Sequence, residues 1–314
     1  MSSDRVFTPG ERLKGRWFGR DYVIERLLGE GANGKVYLAR TERGRCAVKV
    51  GFDAVDLQSE INALSTLFPP EDRSPPEPDR FGSEVGRSGF FLEADDFVLP
   101  EGDVPFYAMA YVQGLPMQVF LQRRGPDWFW PIAGQLLERL VGIHRAGYAY
   151  GDLKPDHILV TADGRAELID FGGVTAMGKA VRQFTELYDR GFWLGLPRVA
   201  DEAYDLFSFA VLCMQVTDPQ REWSRVAGLP RHQGAASLRK VLKRCRMDAG
   251  VKSILRAIID GKLTSSAAAI RLWRDAVPTA PQPPDLDAEA GRYLALALGG
   301  SAAAFAAALY WTLQ

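Results

Sequence analysis

The sequence predicts an α+β chain of two lobes, a small β-rich lobe and then a mostly helical one, followed by one C-terminal apolar helix. Three observations lead there. Strand-like runs at 22–28, 35–40 and 45–50 are separated by Gly-containing turns. From about residue 130 onward, apolar residues recur at helical spacing. The last 22 residues, 293–314, carry no charge at all.

The composition supports a folded chain of this kind. Its 314 residues correspond to about two domains or one large two-lobed unit. A hydrophobic share of 47% and a charged share of 25% exclude global disorder, collagen-like repeats and a multi-span membrane protein. Cys46, Cys213 and Cys245 are too scattered for a disulfide framework or a zinc site, and the N-terminal residues are polar, so the bulk of the chain is expected in a reducing cytoplasm.

Taken in order, residues 1–21 read as an N-terminal extension and 22–277 as the folded domain. After the three strands, Leu57, Ile61 and Leu64 form one apolar face of a short helix. A Pro-rich stretch breaks the pattern, and 106–112 reads as a further strand. Ile132, Leu136, Leu137, Leu140, Val141 and Ile143 make a strong helical stripe, with short strands expected at 158–161 and 166–170 and helices at 205–215 and 253–273. Residues 278–291 contain four Pro and suit a semi-rigid linker. Residues 292–314 then match the bilayer core at a rise of about 1.5 Å per residue. With Arg271, Arg274 and Arg292 before this span and Tyr310 and Trp311 at its far end, the folded domain is expected on the cytoplasmic side of the cell membrane. An Ala-rich soluble helix is the alternative. Gly300, Ala304 and Ala308 form a small-residue stripe that would permit a homodimer.

The near-neutral total, 38 Lys and Arg against 39 Asp and Glu, hides two opposed blocks. Residues 69–103 hold ten acids and three bases, and 221–262 hold eleven bases and three acids. The basic block is a solvated helix face or a surface for DNA or anionic lipid.

The chemistry concentrates in four places. Gly29, Gly31, Gly34 and Val36 form a GxGxxGxV loop between two strands, where the backbone can approach phosphate oxygens closely. Lys49 ends the alternating run CAVKV, a single cation that a strand holds toward phosphates, and Glu60 on the next helix is placed to pair with it. In YGDLKPDHILV, Asp152 is placed to take the proton of an incoming hydroxyl, and Lys154 to neutralise a transferring phosphoryl group. In LIDFGG, Asp170 is placed to hold the metal that bridges nucleotide phosphates.

Together these motifs resemble the eukaryotic-type (Hanks-type) protein kinases from about 22 to 277, which implies the two-lobed protein-kinase fold. The resemblance implies ATP with Mg2+ or Mn2+ and protein substrates phosphorylated on Ser or Thr. In FYAMAYVQG it implies Met109 as gatekeeper, the Ala110 and Val112 backbones as adenine partners, and Leu28, Ala47 and Leu159 around the ring. Thr185 and Tyr188 are similar to a substrate-docking TxxY, and Asp205 to a buried helix aspartate that supports the catalytic loop. A compact domain with one C-terminal span further resembles the small single-pass kinases of spore-forming bacteria.

The departures from the family pattern also carry consequences. His157 stands where the family has a metal-binding Asn, Gly151 where it has an Arg that clamps a phosphorylated loop, and Arg190, Gly191 and Phe192 where APE is expected. Three classes therefore compete: an active Ser/Thr protein kinase, a pseudokinase acting as a binding module, and a small-molecule phosphotransferase, since YGDL is similar to the HGDL of aminoglycoside and choline kinases.

Overall fold

A six-stranded antiparallel sheet forms the N-terminal lobe, in the spatial order β1 (Arg12–Lys14), β2 (Asp21–Gly31), β3 (Gly34–Thr41), β4 (Gly44–Gly51), β6 (Val104–Ala110) and β5 (Phe91–Phe97). The structure, a computed structural model, describes residues 6–31, 33–69, 90–182, 184–218 and 234–277. The expected linker and membrane span, 278–314, lie outside the described residues, as do Arg221, Arg225 and Arg231 of the basic block. Among the described residues, no helix is long and apolar enough to cross a membrane.

Strands β2 (Asp21–Gly31), β3 (Gly34–Thr41) and β4 (Gly44–Gly51) arise where the sequence predicts them. The β3–β4 turn is closed by Thr41, whose Oγ1 accepts from the Arg43 amide at 3.1 Å. Helix α1 (Ala54–Leu67) starts where the Asp53 side chain accepts from the Val55 and Asp56 amides, and it buries Leu57, Glu60, Leu64 and Leu67. Strand β6 (Val104–Ala110) pairs with β4, setting Ala47 opposite Met109.

Two strands depart from the sequence reading. β1 (Arg12–Lys14) pairs with β2, and Phe7 and Leu13 are buried in the lobe's core beside Tyr22, Tyr37 and Phe97. Residues 7–14 are thus part of the lobe rather than an extension outside it, because their apolar side chains complete its aromatic core. β5 (Phe91–Phe97) lies within the acidic block, with Glu93 and Asp95 buried. Arg20 and the Tyr22 hydroxyl bond Glu93, and Asp95 accepts the Trp17 amide at 2.9 Å and the Phe18 amide at 3.1 Å. Gly15 bridges to Phe97, so β1 meets β5 and the sheet curls round on itself.

The second lobe packs around α3 (Phe129–Arg145), which carries the predicted stripe, and α5 (Glu202–Thr217), which is buried almost throughout. Short elements precede them or lie between them: β7 (Gly114–Pro116), α2 (Met117–Arg124), β8 (Tyr148–Ala149), β9 (Ile158–Thr161), β10 (Ala166–Leu168), β11 (Thr175–Ala176) and α4 (Arg190–Leu194). Helix α6 (Gly234–Arg244) follows α5. The helix expected over 253–273 is two, α7 (Ala249–Ile259) and α8 (Ser266–Ala276). The break falls at Gly261, whose φ of 68° ends α7 in the left-handed conformation that glycine adopts without a Cβ penalty.

Candidate active site

Between the lobes lies a cleft of about 590 Å³. Its roof is the β2–β3 hairpin, with Leu28, Gly29, Gly31, Gly34 and Val36. Gly34 has no room for a side chain, since an added Cβ would meet the β4 backbone at Val50 and Gly51. Ala47 and Lys49 come from β4, Met109 and Ala110 from the end of β6, and Val112 from the connection that follows. Leu159 of β9 lines the opposite side, with Lys154, His157 and Asp170. The structure brings these predicted residues together; Glu60, Asp152 and Thr185 sit behind or beside the lining and touch it.

Lys49 and Glu60 are 4% and 5% exposed, and Lys49 Nζ reaches Glu60 Oε1 at 2.8 Å and Asp170 Oδ1 at 3.1 Å. Burial disfavours the Lys49 cation, yet the two carboxylates outweigh it and hold its pKa above the usual value. Burial also pushes the Glu60 carboxyl up, against the pull of Lys49. The Tyr107 hydroxyl, fully buried and raised well above its ordinary value, donates to Glu60 at 2.8 Å and fixes it from behind.

Burial would raise the Asp170 carboxyl too, but Lys49, His157 and the Gly172 amide at 3.0 Å bring it down to about 2. His157 Nδ1 donates to the Asp152 carbonyl at 3.0 Å, and its Nε2 lies 3.5 Å from Asp170 Oδ2. Burial lowers the His157 pKa, with Asp170 acting against it and Lys154 with it; because Nδ1 donates to a carbonyl, Nε2 is the ring nitrogen that faces Asp170.

Asp152 forms a closed triangle with two predicted partners. Lys154 Nζ donates to its Oδ2 at 2.7 Å, Thr185 Oγ1 to its Oδ1 at 2.9 Å, and Lys154 Nζ also reaches Thr185 Oγ1 at 3.1 Å. The loop backbone is set from below by Asp205, fully buried, which accepts from the Tyr150 amide at 2.6 Å and the Gly151 amide at 2.8 Å.

Several supporting contacts have little or no signature in the sequence. His144 links Asp205 to Ser266 at 2.8 Å on each ring nitrogen, and Ser266 in turn donates to Glu202. Tyr150 donates its hydroxyl to the Asp170 carbonyl at 2.6 Å. Gly151 has φ +83°, and a Cβ there would collide with the Gly173 carbonyl, which accounts for the absence of a larger residue. Where the APE motif is missing, buried Asp189 accepts from the Gly191 and Phe192 amides, from Tyr204 and from Arg198 Nε at 2.7 Å. The only sequence signal for that anchor was an acid just before Arg190.

The chain is 37% identical over 207 residues to the serine/threonine-protein kinase YabT of Bacillus subtilis, covering 65% of this chain and 58% of that one. It is 34% identical over 165 residues to AfsK of Streptomyces coelicolor, also a serine/threonine-protein kinase, covering 50% and 18%. The chain is thus similar in sequence to bacterial serine/threonine-protein kinases. It spans less than two thirds of the length of these relatives. No family model matches it. Solved structures establish the protein-kinase fold: a rhoptry kinase of Toxoplasma gondii superposes with a TM-score of 0.60 at 15% identity, over 87% of this chain and 85% of that one. Vaccinia related kinase 3 gives 0.57 at 11% identity, over 87% and 92%.

Proposed function

We propose that the chain is an ATP-dependent Ser/Thr protein kinase, with Asp152 as the base that receives the proton of the acceptor hydroxyl. The observation that carries this reading is the Asp152 triangle at the mouth of a cleft in which Lys49, Glu60 and Asp170 are already aligned. In the proposed assignment Leu28, Ala47 and Leu159 enclose the adenine, Met109 guards the depth of the cleft, and the Ala110 and Val112 backbones face the ring edge. Lys49 holds phosphate oxygens, and Lys154 neutralises charge on the transferring group while Thr185 keeps Asp152 and Lys154 in register.

A divalent ion fits the donor set. Asp170 offers an ionised carboxylate and His157 a neutral nitrogen on its side, and among the described residues no cluster of three His, Cys, Asp or Glu could hold a metal alone. Nucleotide phosphates and water would complete the shell; the ion's chemistry is to offset phosphate charge. The Asp–His pair suits Mn2+ at least as well as Mg2+.

Phosphotransfer from labelled ATP by the full chain, wild type beside Lys49→Ala and Asp152→Asn, tests the assignment. Transfer by wild type and its loss in both folded variants is expected. Nucleotide binding without transfer would favour the pseudokinase reading, and transfer to a small alcohol or aminoglycoside but not to protein would favour the small-molecule reading.

The charge-free run 293–314 supports a further proposal, that a C-terminal span anchors the folded domain, which begins by residue 7 and ends at 277, to the cell membrane on its cytoplasmic face through the linker 278–291, as in small single-pass kinases. Release of the full chain from membranes by salt alone would refute it. The Gly300, Ala304 and Ala308 stripe supports homodimerisation of that span. On α6, Lys240, Lys243 and Arg244 are exposed while Leu238, Val241 and Leu242 point inward, an arrangement that suits a polyanion surface for DNA or anionic lipid.

A further inference from the structure

Helix α1 carries Glu60 to Lys49, and the residue before Glu60 makes a second connection. Ser59 Oγ accepts a hydrogen bond from Arg182 Nη1 at 3.0 Å. Arg182 belongs to the segment 171–200, three residues before Thr185, which bonds Asp152. This bridge therefore joins the element that carries the nucleotide-side ion pair to the element that carries the acceptor-side triangle, in the N-terminal half of α1 and away from the Phe68–Phe171 ring contact at its other end.

We infer that Arg182 and Ser59 are positioning residues whose bridge holds α1 and the segment 171–200 in working geometry with no phosphate on that segment. The inference rests on the kinase reading and adds how that site is regulated. Three further observations support it.

The segment contains only three hydroxyl side chains, and each is committed. Thr175 is buried and donates to the Gly173 carbonyl at 3.0 Å, Thr185 donates to Asp152, and Tyr188 is buried against Gln215. A phosphate on any of them would first have to break an internal bond.

The segment is also tied to itself. Gly178 donates to the Ala200 carbonyl at 2.9 Å, Val181 to the Arg198 carbonyl at 2.9 Å, and Ala200 to the Lys179 carbonyl at 2.8 Å. The Asp189 anchor fixes its far end, and Arg190 pairs with Asp201 at 3.1 Å.

Nor does position 151 offer a cation to receive a phosphate from the segment, since it is a glycine whose Cβ would strike the Gly173 backbone, and the cation that does stand beside Asp152, Lys154, is already held by Asp152 and Thr185.

The test uses the full chain after treatment with a broad protein phosphatase, with Arg182→Ala, Ser59→Ala and the double variant beside it. The readouts are kcat with casein as acceptor, melting temperature and hydrogen exchange of the α1 amides. Dephosphorylated wild type should keep its kcat. Each single variant should lose about fivefold in kcat at an unchanged melting temperature, the loss expected for one exposed hydrogen bond. The double variant should lose no more than either single one, and α1 exchange should quicken in all three. Loss of wild-type activity on phosphatase treatment, additive losses, or unchanged α1 exchange would each overturn the inference. If wild type transfers no phosphate at all, the kinase reading fails, and α1 exchange still decides whether the bridge holds the helix.

Discussion

Placing an arginine at position 151 should damage this protein. Gly151 sits at φ +83°, where a residue with a Cβ pays about 1–2 kcal/mol. Its Cβ would also press on the Gly173 carbonyl, and that backbone cannot retreat: a Cβ on Gly173 would itself lie only 2.9 Å from Asp152 Cβ and 3.0 Å from the Tyr150 carbonyl. Overpacking of this kind costs about 1–3 kcal/mol. The two effects together amount to roughly 3 kcal/mol, or about 6–12 °C in melting temperature for a domain of this size. Because the penalty belongs to the Cβ, Gly151→Ala and Gly151→Arg should fall within about 1 kcal/mol of each other. Relief of the clash moves the Gly151 amide off Asp205 and carries Asp152 with it, so phosphotransfer should drop on the order of 100-fold, as for a catalytic group misplaced by about 1 Å. Thermal unfolding followed by circular dichroism, with labelled-ATP transfer on the same samples, checks both numbers. A Gly151→Arg protein that melts within about 2 °C of wild type and still transfers phosphate would refute the reasoning.

Replacing Asp205 with Ala leaves the Tyr150 and Gly151 amides and a His144 nitrogen without their carboxylate, and should cost about 3–5 kcal/mol in thermal unfolding. For His157→Asn, the ratio of kcat in Mn2+ to kcat in Mg2+ should fall several-fold, since an amide oxygen suits the harder ion; an unchanged ratio means that His157 is no ligand. Changing Lys240, Lys243, Arg244 and Arg246 together to Ser should flatten the salt dependence of DNA or anionic-vesicle binding by about 3–4 in the slope of log K against log salt. Identical slopes in gel-shift or flotation assays would return this surface to a solvated face.

The charged groups of the site were legible because each stands in a local context that restricts its use: a lysine ending an apolar strand, an aspartate in a turn, glycines between two strands. Asp152, Lys154 and Thr185, read separately in the sequence, lie within 3.1 Å of one another in the structure. What stayed hidden depends on partners distant in the chain. The run FLEADDF reads as acidic and poor in strand formers, and it becomes a strand because Arg20, Tyr22 and the Trp17 and Phe18 amides, more than 70 residues earlier, neutralise its inward acids. Asp189 looks like an ordinary loop acid until Arg198 and Tyr204 are folded against it. The division of the last helical stretch could have been anticipated from Gly261, whose signal is weak when an apolar periodicity runs across it.

The contact between Gly15 and Phe97, extended by the Arg16 amide on the Asp96 carbonyl at 2.9 Å and the Val98 amide on the Lys14 carbonyl at 3.2 Å, has a consequence for how the lobe is assembled. A sheet whose first strand meets its last presents few unpaired edge groups, and thus little template for another chain to add a strand. The seam also joins residues far apart in sequence, so most of its entropic cost falls due before its contacts form. The hairpins β2–β3 and β3–β4 can zip locally, whereas β1 has its second neighbour only once β5 is in place. Folding of this lobe should therefore end at the seam, with Phe7 and Leu13 closing over the aromatic core last.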